Sequence, residues 1–260
     1  MIQQLLEYDP TEMRYPVYGQ VKMDGIFGRW ESSELCTYTR SGNVIKGLSV
    51  IEAELSGRVF LPLDGELVIP GLDFFTMNGK IRSSEETPDC MFYVFDVCVT
   101  PDEYEKRVRI YQSLASADMP HVQMMKAHLI NNESEADAFY NKVLKAGFEG
   151  VVYKQLDAAY MDGKHWHAVK RVPLKSVECE IVDAYEGKGK LAGMLGGFVV
   201  EFNNQLVKVG GGPGVDYTKR KEMWENKDKY IGKQLKCVYK SLTPGGSMRS
   251  PQMLGVRWDN

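Results

Sequence analysis

Short runs of alternating apolar and polar residues, broken by glycine-bearing turns, make up most of this chain. Residues 17–21 and 26–30 read as consecutive strands joined through Lys22-Met23-Asp24-Gly25, where Gly25 permits a sharp turn. Residues 35–40 alternate in the same way and end in the turn cluster Arg40-Ser41-Gly42-Asn43. Residues 60–70 predict another strand, entered through an Asp64-Gly65 turn that puts Glu66 at its start. Residues 90–97 are almost continuously apolar or aromatic, as expected of a central strand buried on both faces. Helices are predicted over 49–57, closed by Gly57, over 102–117 with a basic start, and over 134–146. The last is the clearest: Ala136, Phe139, Tyr140, Val143 and Leu144 follow helical spacing and Gly147 stands at the C-cap. Residues 148–154 return to a strand opened by Glu149-Gly150, and 166–175 end in a cationic cluster.

Beyond residue 175 the pattern changes to all-β. Strands are expected over 178–186, 196–202, 205–210, 234–242 and 252–258, with a helix over 216–226 and glycine-rich turns between. Five short strands and one helix fit an OB-type barrel. A domain boundary near 175 follows, giving domains 1–175 and 176–260.

Composition narrows the class without naming a function. The length of 260 residues supports one large domain or two. No apolar run approaches a membrane span, and residues 1–7 lack signal-peptide character. Five cysteines, odd in number and without a Cys-x-x-Cys pair, argue for a reducing cytosol and against a zinc or disulfide framework. The net charge of −3 hides an asymmetry. Residues 176–260 carry 13 Lys and Arg against 10 Asp and Glu, whereas residues 1–175 carry 19 against 25. A phosphate-binding face is permitted but not demanded.

The candidate chemistry lies at the strand openings. A lysine at the mouth of a strand turn beside a carboxylate suits a nucleophilic amine. Asp24, Glu66 and Glu149 each stand next to a glycine or turn, where packing alone gives no reason for an acid. These groups converge if the strands form one antiparallel sheet system around a cleft. His165 and His167 form a His-x-His without a third ligand nearby and read as structural.

Taken together, Lys22-x-Asp24-Gly25, Arg40-Ser41-Gly42, Asp64-Gly65-Glu66, Phe92-Tyr93-Val94-Phe95-Asp96, Glu149-Gly150-Val151-Val152 and Lys170…Lys175 resemble, in order, the motifs of the covalent nucleotidyltransferases. The tail from Leu242 to Asp259 is similar to the end of ATP-dependent DNA ligases, in particular the small two-domain phage and bacterial ones. The resemblance implies an α+β nucleotidyltransferase domain of ATP-grasp-like antiparallel sheets with helices, followed by an OB-fold barrel. It also implies a monomer, cytoplasmic in a bacterium or phage-infected host, that acts on nicked double-stranded DNA and no membrane. The implied reaction passes AMP from ATP to the lysine, then to a 5′-phosphate, before a 3′-hydroxyl seals the strand, with Mg2+ or Mn2+ as the divalent ion.

Under this resemblance Lys22 is the adenylated nucleophile, oriented with Asp24. Gln20, Val21, Phe95, Glu66, Lys170 and Lys175 belong to the nucleotide site, with Phe95 stacked on adenine and the two lysines on the α-phosphate. Glu149, Glu66 and Asp24 hold the metal. Arg40 grips the 5′-phosphate of the nick, and Arg249 and Arg257 come from a mobile OB domain. Lys188, Lys190, Lys208 and Lys219-Arg220-Lys221 are candidate DNA contacts.

Three departures stand out. Phe27 occupies the place of the usual arginine, with Arg29 on the same strand face. Residues 170–172 read Lys-Arg-Val in place of Lys-x-Lys, so either Arg171 or Lys175 substitutes or the match slips by two residues. The chain ends in Asp259-Asn260, where Asp-Lys is usual. An RNA ligase or a capping guanylyltransferase shares the chemistry, and an OB-fold nucleic-acid-binding protein with a dead first domain is the reading from another class.

Overall fold

The protein is described by a computed structural model covering residues 2–98, 102–212 and 214–258, so Asp259-Asn260 lies outside the described residues. Two compact units form, Met1–Val172 and Pro173–Asn260. The first runs β1 (Gln3–Glu7), β2 (Val17–Lys22), β3 (Ile26–Glu31), β4 (Cys36–Tyr38), β5 (Val44–Ile45), α1 (Ser49–Leu55), β6 (Leu63–Val68), α2 (Phe74–Arg82), β7 (Met91–Val97), α3 (Tyr104–Ser113), β8 (Val122–Met124), β9 (His128–Ile130), α4 (Glu133–Lys145), β10 (Gly150–Gln155) and β11 (Gly163–Arg171).

These strands build two sheets, not the single antiparallel system expected. One has the order β1-β11-β10-β2-β9 and the other β5-β4-β3-β6-β7-β8. Each includes one parallel pair, β1 with β11 and β7 with β8. The second sheet carries the larger core, in which Trp30, Leu63, Leu67, Phe92 and Val94 pack against Ile51 and Leu55 of α1 and Met77 and Ile81 of α2. The first sheet packs Val17, Val151 and Tyr153 against Ala136 and Val143 of α4, so the clearest helix of the sequence covers one sheet face. Asn132 caps α4 by accepting from the Glu135 amide at 3.0 Å, and Gly147 leaves it with a φ of +85° that a side chain would resist.

The expected Asp64-Gly65 turn does not exist. Both residues lie inside β6, where a register shift against β7 leaves Phe95 without a partner opposite. That bulge re-aims one side chain within a buried strand. Gly65 is required there because a Cβ would drive into the Phe92 ring.

The second unit comprises β12 (Lys175–Glu186), β13 (Leu195–Phe202), β14 (Gln205–Gly210), α5 (Tyr217–Glu225), β15 (Gln234–Tyr239), β16 (Ser241–Leu242), β17 (Met248–Arg249) and β18 (Gln252–Arg257). A closed barrel of order β12-β13-β14-β18-β15 wraps Ile181, Phe198, Val200, Val209 and Leu235. The expected 234–242 strand is split, because Ser241 and Leu242 pair instead with Arg249 and Met248 in a separate hairpin. Lys175 already pairs with Tyr239 in the barrel, so the first unit closes three residues earlier than residue 175.

Candidate active site

Lys22 is the last residue of β2 and lies opposite Gly150 at the start of β10. That register brings its amine to Glu149, which accepts its hydrogen bond at 2.7 Å. Glu66 reaches the same place from the other sheet. Its carboxyl is pushed up to about 7 by burial, against the opposing pull of Lys22 and Arg40, while the charge of Glu149 adds to the rise. Gly25 lets the turn lie against β6: a Cβ there would sit 2.5 Å from the Leu67 carbonyl and 2.7 Å from the Glu66 side chain. Asp24 is exposed in the turn between β2 and β3.

A hollow opens beside these groups. Its walls include Gln20, Val21, Lys22, Arg40, Glu66 and Phe95. Six of the sequence-predicted residues are thus brought together. Phe95 presents its ring there because of the β7 bulge, 6.4 Å from the Phe27 ring.

Gln20 is more deeply engaged than an edge-reading amide need be. It is buried, donates to the Tyr111 hydroxyl at 2.8 Å, and accepts from the Tyr104 hydroxyl at 2.7 Å. Burial raises both phenols above their ordinary values, which keeps them neutral. Lys170 pairs in register with Val152, which pairs with Gln20, so the three share the face that lines the hollow. Its amine is held by Glu7 at 3.0 Å.

Arg171 cannot replace the second lysine. The next residue along a strand faces the other side, and Arg171 there pairs with Asp137 at 2.5 Å and covers the Tyr140 ring at 4.2 Å. Lys175 belongs to the barrel unit. Arg29 is likewise committed: buried, it grips Asp64 at 2.7 and 2.9 Å. Arg249 lies in the β16–β17 hairpin, and Arg257 pairs with Glu178 at 2.9 Å, both within the second unit. His165 and His167 stack on each other at 5.3 Å, and no cluster of three or more metal-ligating side chains occurs among the described residues.

Sequence reasoning missed the groups beneath the hollow. Asp96 is fully buried and binds Arg107 at 2.8 Å and Lys154 at 2.7 Å. Burial alone would raise its carboxyl, but the two cations outweigh burial and hold it below its usual range. Lys154 also lies 5.3 Å from the Phe95 ring centre and lines the hollow. The signal was present: a carboxylate ending an otherwise apolar strand needs a partner, and Lys154 falls two residues after Val152 on the same face. Tyr160, which hydrogen-bonds Asp64, had no such signature.

Comparison with known proteins settles the family. Residues 7–171 match the ATP dependent DNA ligase domain, and residues 186–257 match the DNA ligase OB-like domain. The chain belongs to the ATP-dependent DNA ligases. Among curated relatives, the DNA ligase of Enterobacteria phage T6 is 25% identical across 86% of this chain and 60% of its own length. The DNA ligase of an African swine fever virus isolate is 26% identical across 80% of this chain and 54% of its own. The chain therefore spans between about half and two thirds of the length of these relatives. Among solved structures, a Lig E DNA ligase superimposes with a TM-score of 0.79 at 21% identity, covering 98% of both chains. Chlorella virus DNA ligase-adenylate gives 0.56 at 25% identity, again with 98% of both chains covered. These likenesses place the two-domain ligase fold on the whole described chain.

Proposed function

We propose that this protein seals 3′-hydroxyl/5′-phosphate nicks in duplex DNA at the expense of ATP, through a lysyl-AMP intermediate on Lys22. The observation that carries the reading is Lys22, paired with Glu149, in the wall of a hollow that Glu66 and Phe95 also line. In the first step the Lys22 nitrogen attacks the α-phosphorus of ATP. A P–N bond forms, the bond to pyrophosphate breaks, and the amine proton leaves toward Glu149, which already accepts its hydrogen bond. The AMP then passes to the 5′-phosphate of the nick, freeing Lys22, and the 3′-hydroxyl displaces AMP to close the strand.

Phe95 and Val152 offer apolar faces for the purine, and Lys170 lies on the same sheet face to meet phosphate charge. A divalent cation suits the site, because such an ion needs only one or two carboxylates when phosphates supply the remaining oxygens; Glu66 and Glu149 are those carboxylates. When bound, it would neutralise phosphate charge and compete with Lys22 for Glu149. Arg249 and Arg257 are the barrel's contribution to the ATP-bound state, and the protein acts as a cytoplasmic monomer.

Incubation with labelled ATP and magnesium tests this. An acid-stable band that disappears in Lys22→Ala, together with sealing of a singly nicked DNA duplex, is the expected result. Label that survives Lys22→Ala, or label taken only from GTP, overturns it.

A further inference from the structure

Arg40 stands where the nucleotide hollow meets two open grooves, and its guanidinium is seated on the Phe27 ring at 4.7 Å. The aromatic ring thus fixes the cation at this junction. The grooves that leave it differ in charge.

One runs past β1 and β4 and carries Glu31, Glu34 and Asp162. Its second arginine, Arg29, is neutralised by Asp64. The other passes Phe27, Ser41 and Asn78 to Arg82 at the end of α2. A neighbouring hollow shares Ile26, Thr39, Ser41 and Arg82 with it and reaches Asn43 and Lys46. Glu66, shared with the nucleotide hollow, is the one carboxylate among the residues lining this second groove. Its rim is already ordered: Asn43 donates from its side chain to Ser41 at 3.0 Å and from its backbone to Thr39 Oγ1 at 3.1 Å. Arg82 is steadied by donation to Asn78 Oδ1 at 2.9 Å, one helical turn earlier.

A polyanion leaving the site must choose between these exits. Carboxylates within a Debye length of about 8 Å repel each phosphate, while arginine and lysine release its counterions. We infer that the groove past Phe27, Asn78 and Arg82 carries a sugar–phosphate backbone of the DNA leaving the site, with Arg82 and Lys46 binding its phosphates. The acidic groove stays clear of DNA. This track rests on the ligase reading and adds its direction across the molecule. Such phosphate binding positions the duplex and carries no sequence preference.

The test measures the affinity of the full chain for a nicked duplex across a salt series. Arg82→Gln with Lys46→Gln should lower the slope of log affinity against log salt by about 1.8, about 0.9 for each phosphate that the protein no longer neutralises. Lysyl-AMP formation, which needs no DNA, reports whether each variant has folded. If the double variant fails that check, Arg82→Gln alone should lower the slope by about 0.9. An unchanged slope in a folded variant overturns the track. So does a gain in affinity from Glu31→Gln with Glu34→Gln, since DNA would then be meeting the acidic groove. Wild-type protein that forms no lysyl-AMP overturns the ligase reading itself, whereas Arg82 and Lys46 variants that seal nicks and bind them as wild type does overturn only the track.

Discussion

The Lys22 amine and the Glu149 carboxylate lie 2.7 Å apart, with only 19% and 12% of their side chains exposed. The Lys22 amine is thus held by the group best placed to take its proton. Glu149→Gln keeps the shape but loses the charge, and should slow lysyl-AMP formation by about 10²-fold or more. A rapid-quench assay of labelled enzyme checks this; a variant as fast as wild type removes Glu149 from the step.

Glu66 makes stability depend on pH. Its carboxyl titrates at about 7 in the folded protein against an ordinary value of 4.5. Between these values the folded state holds a proton that the unfolded chain has released. Stability from this group therefore falls as pH rises from 4.5 to 7. Glu66→Gln cannot ionise, so the ligand-free variant should gain stability over wild type at about pH 8, by up to about 3 kcal/mol, and gain little near pH 4.5. Denaturant titrations at both pH values decide it, and equal gains would assign the effect to something other than ionisation.

Two arginine pairs on α3 separate burial from proximity. Arg107 and Asp96 are completely buried, with Lys154 as a third member, whereas Arg109 is 74% exposed beside Glu105. Asp96→Ala leaves two buried cations unpaired and should cost about 3–5 kcal/mol. Arg109→Ala breaks a bond of similar length and should cost under about 1 kcal/mol. Urea unfolding of both variants compares them directly; similar losses would mean that burial does not govern these pairs.

The meeting of Lys22 with the acids at 66 and 149, and the barrel, were legible from the sequence, because those features are marked locally. Turn glycines flank Lys22 and Glu149, and regular alternation marks the barrel strands. Asp64-Gly65 was misread as a turn because Asp-Gly is a strong local turn signal; the close approach of Phe92 is what demands that glycine. The pattern passed over α2, whose interior Asn78 and Gly79 are poor helix formers, although Asp73 caps it firmly and Met77 and Ile81 anchor it. The fates of Arg29 and Arg171 were invisible for another reason. Each is settled by a carboxylate far along the chain, Asp64 at a separation of 35 residues and Asp137 at 34. No spacing rule reaches that far.

The parallel pairing of β1 with β11 has a consequence for how the chain is made. Gln3 and Gly163 are partners, so β1 leaves the ribosome long before the strand it pairs with. At about 5–20 residues per second it waits on the order of ten seconds or more for β11 to be synthesised. During that interval Leu5 and Leu6 are open to other chains, and the lysine that Glu7 restrains has not yet been translated. The first sheet is therefore completed only once its most distant strand has been synthesised.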